Sequence, residues 1–184
     1  MSDSISPFQP CPSVPAGLRP FAGDDFSRLR EFAEPIWEEA YRDLITSAQI
    51  RYMMDRGYAP DVVRREIEKD GVEYFWIEEG DSPGSKAGFL ACERPAPDSE
   101  AFLSKFYLRA EFRGSGIARR AMEALVARHV RAGSRAIRLR VNRGNERAIR
   151  FYQARGFEIA GEDCLDIGGG FVMDDYLMRL SFAP

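Results

Sequence analysis

Phe106-Tyr107-Leu108-Arg109-Ala110-Glu111-Phe112-Arg113-Gly114-Ser115-Gly116-Ile117-Ala118 passes from an aromatic strand, through a glycine-containing loop, into a helix. The N–H groups that open a helix lack intrahelical partners, and the peptide dipoles add partial positive charge there, so this geometry suits a pyrophosphate. Small residues at Gly114, Ser115, Gly116 and Ala118 let phosphate oxygens approach the main chain, with Ile117 between them contributing its amide. Arg113 can add a charge-assisted contact. A Walker loop would need Gly-Lys-Ser/Thr, which is absent. A dinucleotide fingerprint would need a third glycine at 119, where the chain has Arg119. What remains is Arg-x-x-Gly-x-Ala across 113–118, a pattern that alone also suits a plain turn and helix start.

A second segment lies one helix and one strand downstream: Val141-Asn142-Arg143-Gly144-Asn145-Glu146-Arg147-Ala148-Ile149-Arg150-Phe151-Tyr152-Gln153-Ala154-Arg155-Gly156-Phe157. As a helix from Asn145 to Arg155 it places Asn145, Ala148/Ile149 and Tyr152 on one face. Asn145 is a good helix cap. Tyr152 in isolation could simply pack its ring in the core.

Together the two segments resemble the GNAT superfamily of N-acetyltransferases, the first its coenzyme A signature and the second its Asn/Tyr helix. The resemblance covers roughly 85–182 well and the helical N-terminal third more loosely. It implies acetyl-coenzyme A as cosubstrate, no metal, and direct attack of a primary amine on the thioester through a tetrahedral intermediate. It further implies that Tyr152 protonates the departing sulfur. Asn145, and more weakly Asn142, would contact the pantetheine or phosphate end. Main-chain groups of Phe106 and Leu108 would pair with the pantetheine amides, and the Leu108 N–H would meet the oxyanion. A central-strand glutamate common in the family would fall at Ser104 or Lys105, and neither is a carboxylate. The general base is therefore left among Glu73, Glu78, Glu93, Asp174 and Asp175, directly or through water. Trp37…Tyr41, Gln49–Met53, Lys105–Leu108 and Asp174–Met178 are also similar to bacterial PaiA-like polyamine acetyltransferases, which implies a small cationic acceptor.

Working outward, Val14 to Ala22 reads as a first strand. A helix runs from Asp24/Asp25 to about Arg42, with Pro35 expected to kink or divide it. Shorter helices follow at Ser47–Arg56 and Asp61–Lys69. Val72–Glu78 and Lys86–Arg94 form a hairpin about Gly80–Gly84, and Ser99–Leu108 is a further strand. A helix at Ser115–Arg131 carries an apolar stripe. It is followed by a strand at Arg135–Val141, the Asn145–Arg155 helix, and strands at Phe157–Glu162 and Phe171–Leu180. Asp166–Gly170 between the last two reads as a flexible connection near the substrate mouth. This order predicts one α/β domain over 14–184, a mixed, mostly antiparallel sheet of six to seven strands with helices on both faces, after a Pro/Ser-rich lead-in at 1–13.

Composition narrows the function classes. The chain has 184 residues and net charge −3. Twelve arginines against Glu123 and Glu146 give +10 over 113–155, leaving −13 elsewhere. A basic segment in an acidic chain suits an anionic cosubstrate and a cationic acceptor, although a solvated helix face would look alike. The one histidine, His129, leaves no His-rich metal site and argues against a Ser-His-Asp triad. Cys11, Cys92 and Cys164 are widely spaced and read as reduced thiols, and with no signal-like start a cytoplasmic setting is expected. No apolar run approaches the roughly 20 residues of a membrane span. Nucleic-acid binding is disfavoured because the aromatics sit at core spacing. Peptide acetylation and silent acyl-coenzyme A binding are the rival functions, and a homodimer is left open.

Overall fold

The computed structural model describes residues 17–79 and 85–182. The lead-in at 1–13, the start of the first strand and the Gly80–Gly84 turn lie outside them. The elements are β1 (Leu18–Pro20), α1 (Asp25–Tyr41), α2 (Ser47–Gly57), α3 (Pro60–Glu68), β2 (Val72–Glu78), β3 (Lys86–Glu93), β4 (Glu100–Leu108), α4 (Ile117–Arg131), β5 (Ala136–Asn142), α5 (Glu146–Gln153), β6 (Glu158–Gly168) and β7 (Phe171–Ser181). A short 3-10 turn at Ala110–Phe112 precedes α4.

Seven strands form one sheet in the order β1-β2-β3-β4-β5-β7-β6. Every pairing is antiparallel except β4 with β5, which α4 joins by a crossover, as a parallel pair requires. Strand alternation sends Phe75, Ile77 and Leu90 to the face covered by α4 and α5. Tyr74, Trp76 and Phe89 go to the opposite face, against Leu29, Ala33, Ile36 and Trp37 of α1 and Met54 of α2. The fold class expected from the element order is the one observed.

Three local expectations change. Pro35 does not divide α1, which continues through it. Pro35 is exposed, so the carbonyl it leaves without an N–H partner faces solvent, while the buried Leu29–Trp37 stripe holds both halves. α4 begins at Ile117 and not at Ser115, because Gly116 has φ +80°, outside the helical region. β6 runs on to Gly168, well past Glu162, paired throughout with the long β7. Its Asp- and Gly-containing end has little intrinsic strand preference, and the partner strand supplies the order. Among the described residues no helix is long and apolar enough to cross a membrane.

Candidate active site

The site begins where two strands part. β4 and β5 pair only from Glu100–Ala136 to Leu103–Leu139, after which β4 follows β3 and β5 follows β7. A register shift between Ala91 and Cys92, opposite Leu103, marks the point. A bulge there bends and twists β4 away from its parallel neighbour. The Arg109 N–H donates to the Ala87 carbonyl at 2.9 Å. By antiparallel alternation the main-chain groups of Lys105 and Tyr107 also address β3, and those of Ser104, Phe106 and Leu108 face the gap.

A cavity of about 310 Å³ fills one side of that gap. Ser104, Phe106 and Leu108 line it from β4, Val141 from β5, Gly114 and Ala118 from the opening of α4, and Asn145, Ala148, Phe151 and Tyr152 from α5. Gly114 (φ +76°) and Gly116 (φ +80°) both need the left-handed region, and a Cβ on Gly114 would meet nothing within 4 Å. No side chain caps Gly116. Ser115 Oγ donates to the Phe112 carbonyl at 2.6 Å and meets the Ile117 N–H only at 3.4 Å. The first amides of α4 are thus approachable, which fits a diphosphate. Ile117 offers its amide while its side chain is buried in the core.

Arg113 lines this cavity but is already engaged. Its Nη1 donates to Glu39 Oε1 at 2.7 Å, and its Nη2 donates to Glu39 Oε2. Arg147 also approaches Glu39, at 3.9 Å. The Arg113 hydrogen bonds, foremost, hold the Glu39 carboxyl below its ordinary range. A phosphate contact from Arg113 therefore requires exchange of one anion for another.

Tyr152 is 8% exposed and packs edge-on against Phe151 and Phe157. Its hydroxyl has no hydrogen-bond partner among the described residues, so neither the core nor the backbone satisfies it. Burial pushes the phenol well above its ordinary value, keeping it protonated. Asn145 caps α5 by accepting the Ala148 N–H at 3.1 Å while still lining the cavity. Asn142 behaves differently from the expectation. It folds onto its own loop, accepting the Gly144 N–H at 3.0 Å, and faces a second cavity. Being on the far side of β5, it is separated from the end of the first cavity formed by Gly114 and Ala118.

The second cavity, about 230 Å³, lies on the α1–α2 side of the gap. Tyr41, Ser104, Tyr107 and Arg140 line both. Of the five candidate bases only Asp175 reaches it. Glu73 is held bidentately by Arg128 at 2.7 Å, and Glu78 by Arg19 at 2.8 Å. Glu93 accepts the Phe102 N–H at 2.8 Å, and Asp174 is exposed beside Arg143. Asp175 is 4% exposed, opposite Asn142 in the sheet, and has no salt-bridge or hydrogen-bond partner among the described residues. Burial pushes its carboxyl up to about 6, with Asp163 and Asp174 adding to the effect and Arg140 opposing it. Lys105, at the position where a glutamate was sought, is a buried cation 3.0 Å from Glu66, and burial lowers its pKa.

Gln49 and Met53 of α2 and Met173 of β7 line this second cavity, and the hairpin end beyond Met173 is docked on α2. Gln49 donates to the Val172 carbonyl and Tyr52 to the Ile167 carbonyl, each at 2.8 Å, and Arg56 joins at 3.3 Å. Gly168 and Gly169 have positive φ, and a Cβ on either would lie 2.8–3.0 Å from Tyr52. The Asp166–Gly170 stretch is thus docked and does not hang free. Tyr41, Tyr107, Glu39, Glu66 and the Gln49/Tyr52/Arg56 clasp were not singled out from the sequence for these roles. Each belongs to α1–α3 or faces them, and only packing brings those helices to the gap.

Comparison with known proteins agrees with this geometry. The family model described as Acetyltransferase (GNAT) family matches residues 28–157. An uncharacterized N-acetyltransferase of Mycobacterium tuberculosis is 36% identical over 82 residues, 45% of this chain and 53% of the relative. One of Bacillus subtilis is 35% identical over 86 residues, 46% and 54% respectively. The chain thus spans about half the length of the curated relatives it matches. Among solved structures, a PaiA N-acetyltransferase from Thermoplasma acidophilum in complex with coenzyme A superposes with TM-score 0.71 at 19% identity, over 91% of this chain and 99% of that one. An Arabidopsis thaliana NAA60 with a bisubstrate analogue gives 0.65 at 17%, over 92% and 100%. Likenesses of this identity show the fold. With the family match, the strand gap and the glycine-opened helix all in place, the chain belongs to the acetyltransferase (GNAT) family.

Proposed function

We propose that this protein transfers the acetyl group of acetyl-coenzyme A to a small cationic amine by direct attack. The observation that carries the reading is a pair of cavities meeting at the β4–β5 gap, one bearing the unpartnered Tyr152 phenol and the other the unpartnered Asp175 carboxylate.

In this reading the diphosphate lies against the amides opening α4, and the pantetheine amides against the free main-chain groups of Ser104, Phe106 and Leu108. The acceptor occupies the second cavity. An alkylammonium of ordinary pKa about 10.4 must lose a proton before its nitrogen can attack. Asp175, ionised at neutral pH and facing that cavity, is placed to take it. The nitrogen attacks the carbonyl carbon at the gap, the oxygen becomes anionic against the Leu108 N–H, and the carbon–sulfur bond breaks with a proton arriving from Tyr152.

Charge and size favour a small cation. Lys105 is neutralised by Glu66 and Arg140 by Asp163 at 2.6 Å, leaving Asp175 as the uncompensated charge facing the cavity among the described residues. Trp37, Tyr41 and Tyr58 add aromatic surface, which suits a cation. Gln49, in the cavity wall, is tied to the hairpin through the Val172 carbonyl, which fixes that side of the space. Thiol release should be compared across spermidine, an aminoglycoside, free amino acids and a lysine peptide, with spermidine or another compact amine expected to lead. Selective turnover of a neutral or acidic acceptor, or of the peptide, refutes the substrate class. Tight acetyl-coenzyme A binding with no turnover of any amine refutes the enzyme.

A further inference from the structure

Apart from tyrosines, the ionisable side chains lining the second cavity are Lys105, Arg140 and Asp175. Arg140 is paired with Asp163 at 2.6 Å and Lys105 with Glu66 at 3.0 Å. Asp175 has no such partner, so among the described residues the wall presents one unbalanced negative charge. A single ammonium balances it. A second ammonium would meet two cations and no free carboxylate, and an unpaired charge taken out of water is costly. The rest of the wall offers apolar and aromatic surface, chiefly from Trp37, Ile45, Met53, Tyr58, Phe102 and Met173.

Lys105 is held as a bound ammonium would be. It is only 8% exposed, and its Nζ donates to Glu66 Oε2 of α3. The same nitrogen lies 5.1 Å from the Tyr74 ring centroid and 5.6 Å from that of Tyr58. A carboxylate flanked by two aromatic faces is a set of groups that recognises an ammonium. The Tyr74 hydroxyl donates to the Glu66 oxygen that accepts from Lys105, which fixes the carboxylate in place. The cavity therefore has a second ammonium site in its wall, and the chain fills that site itself.

We propose that the acceptor is a compact primary monoamine with an apolar body, and that Lys105 disfavours diamines by occupying the place of their second charge. This rests on the acetyl-transfer reading above and narrows its small cations to those with a single charge. The reacting nitrogen is drawn to Asp175, and the body of the acceptor packs on the apolar wall. The step is the same one: a carbon–nitrogen bond forms and the carbon–sulfur bond breaks. Of the two protons the ammonium sheds in becoming an amide, one is released to solvent, and the sulfur gains one in leaving as the thiol. No oxidant or reductant is required.

Hexylamine and cadaverine test this, because they match atom for atom except that a terminal methyl replaces the second ammonium. With the wild type, kcat/KM for hexylamine should exceed that for cadaverine by about tenfold or more. From propylamine to hexylamine it should rise by about threefold to fourfold per methylene. Lys105→Met leaves Glu66 and the two rings to a second ammonium, so the ratio should move at least about tenfold toward cadaverine, mainly through KM. A merely structural role for Lys105 would lower both amines alike. If that variant lacks a native thermal transition, Lys105→Met with Glu66→Gln is read in its place. It removes the pair as a unit and should keep the preference for hexylamine, since no carboxylate is freed. Cadaverine turned over by the wild type as well as hexylamine overturns the proposal. A ratio unmoved in Lys105→Met, or a preference lost in the double variant, overturns the role of Lys105. Thiol release with other amines but with neither of these overturns the monoamine class and leaves acetyl transfer standing. A wild-type protein that releases no thiol with any amine overturns both.

Discussion

Asp175→Asn should move stability and activity in opposite directions, because the structure holds this carboxylate buried without a partner. Arg140 is the nearby cation, and its Nη2 is 2.6 Å from Asp163. Asp163 and Asp174 flank Asp175 on the sheet, and Tyr41 faces it from α1. The carboxyl rises from 3.8 to about 6 on folding. Fully expressed, that rise corresponds to about 3 kcal/mol of destabilisation when the group is ionised. Because the carboxylate opens on a solvent-reached cavity, about 1–3 kcal/mol is the working figure. The sign follows from proton counts. Below pH 3.8 both folded and unfolded forms are protonated and there is no penalty. Between 3.8 and about 6 the folded form binds more protons, so stability falls with rising pH, and above about 6 the penalty is complete. Asparagine keeps the shape and removes the charge. At pH 8 the melting temperature of Asp175→Asn should exceed that of the wild type by about 2–10 °C. The difference should vanish near pH 3.5, and thiol release at pH 8 should drop by about 10²-fold or more. Thermal unfolding at several pH values and a thiol assay measure both. A melting difference independent of pH, or of the opposite sign at pH 8, would refute the reasoning.

Other perturbations probe other parts of the site. Tyr152→Phe should lower turnover by about 10²–10⁴-fold where chemistry limits the rate, with acetyl-coenzyme A affinity retained; unchanged turnover removes its role as acid. Gly88→Ala should destabilise the fold by about 3 kcal/mol or more, since its Cβ would lie 2.1 Å from the Tyr107 carbonyl oxygen, a backbone atom in the strand that forms the gap. Chemical denaturation measures this, and a native-like midpoint would contradict the close β3–β4 approach. Gly169→Ala forces a side chain to φ +66° and to 3.0 Å from the Tyr52 ring. It should cost about 1–2 kcal/mol and relax the preference for compact amines over peptides, and an unaltered preference would mean the clasp does not shape the pocket.

The sequence carried the elements that frame the first cavity in readable form. Arg113–Ala118 and Asn145–Tyr152 are local constructions, in which glycine φ preferences, a helix start and a 3.6-residue period each act within a few residues, so strand, loop, helix and cap could be placed before any packing was known. The same locality accounts for the seven strands, whose alternation is visible in Val72–Glu78 or Ala136–Asn142. The walls of the second cavity were not readable in this way. Nothing near Asp175 in the chain distinguishes it from Asp174 beside it. Only the register of β7 against β5 turns one into a buried cavity wall and leaves the other at the surface with Arg143. Likewise Arg113 reads as a free phosphate ligand until α1 brings Glu39 to it, and Tyr41 reads as the end of an amphipathic helix until it meets Tyr107, 66 residues on. Loop and helix geometry is set by torsional preference, which each residue carries with it. The protonation, pairing and exposure of a side chain are set by what surrounds it, and those surroundings exist only once distant segments have packed.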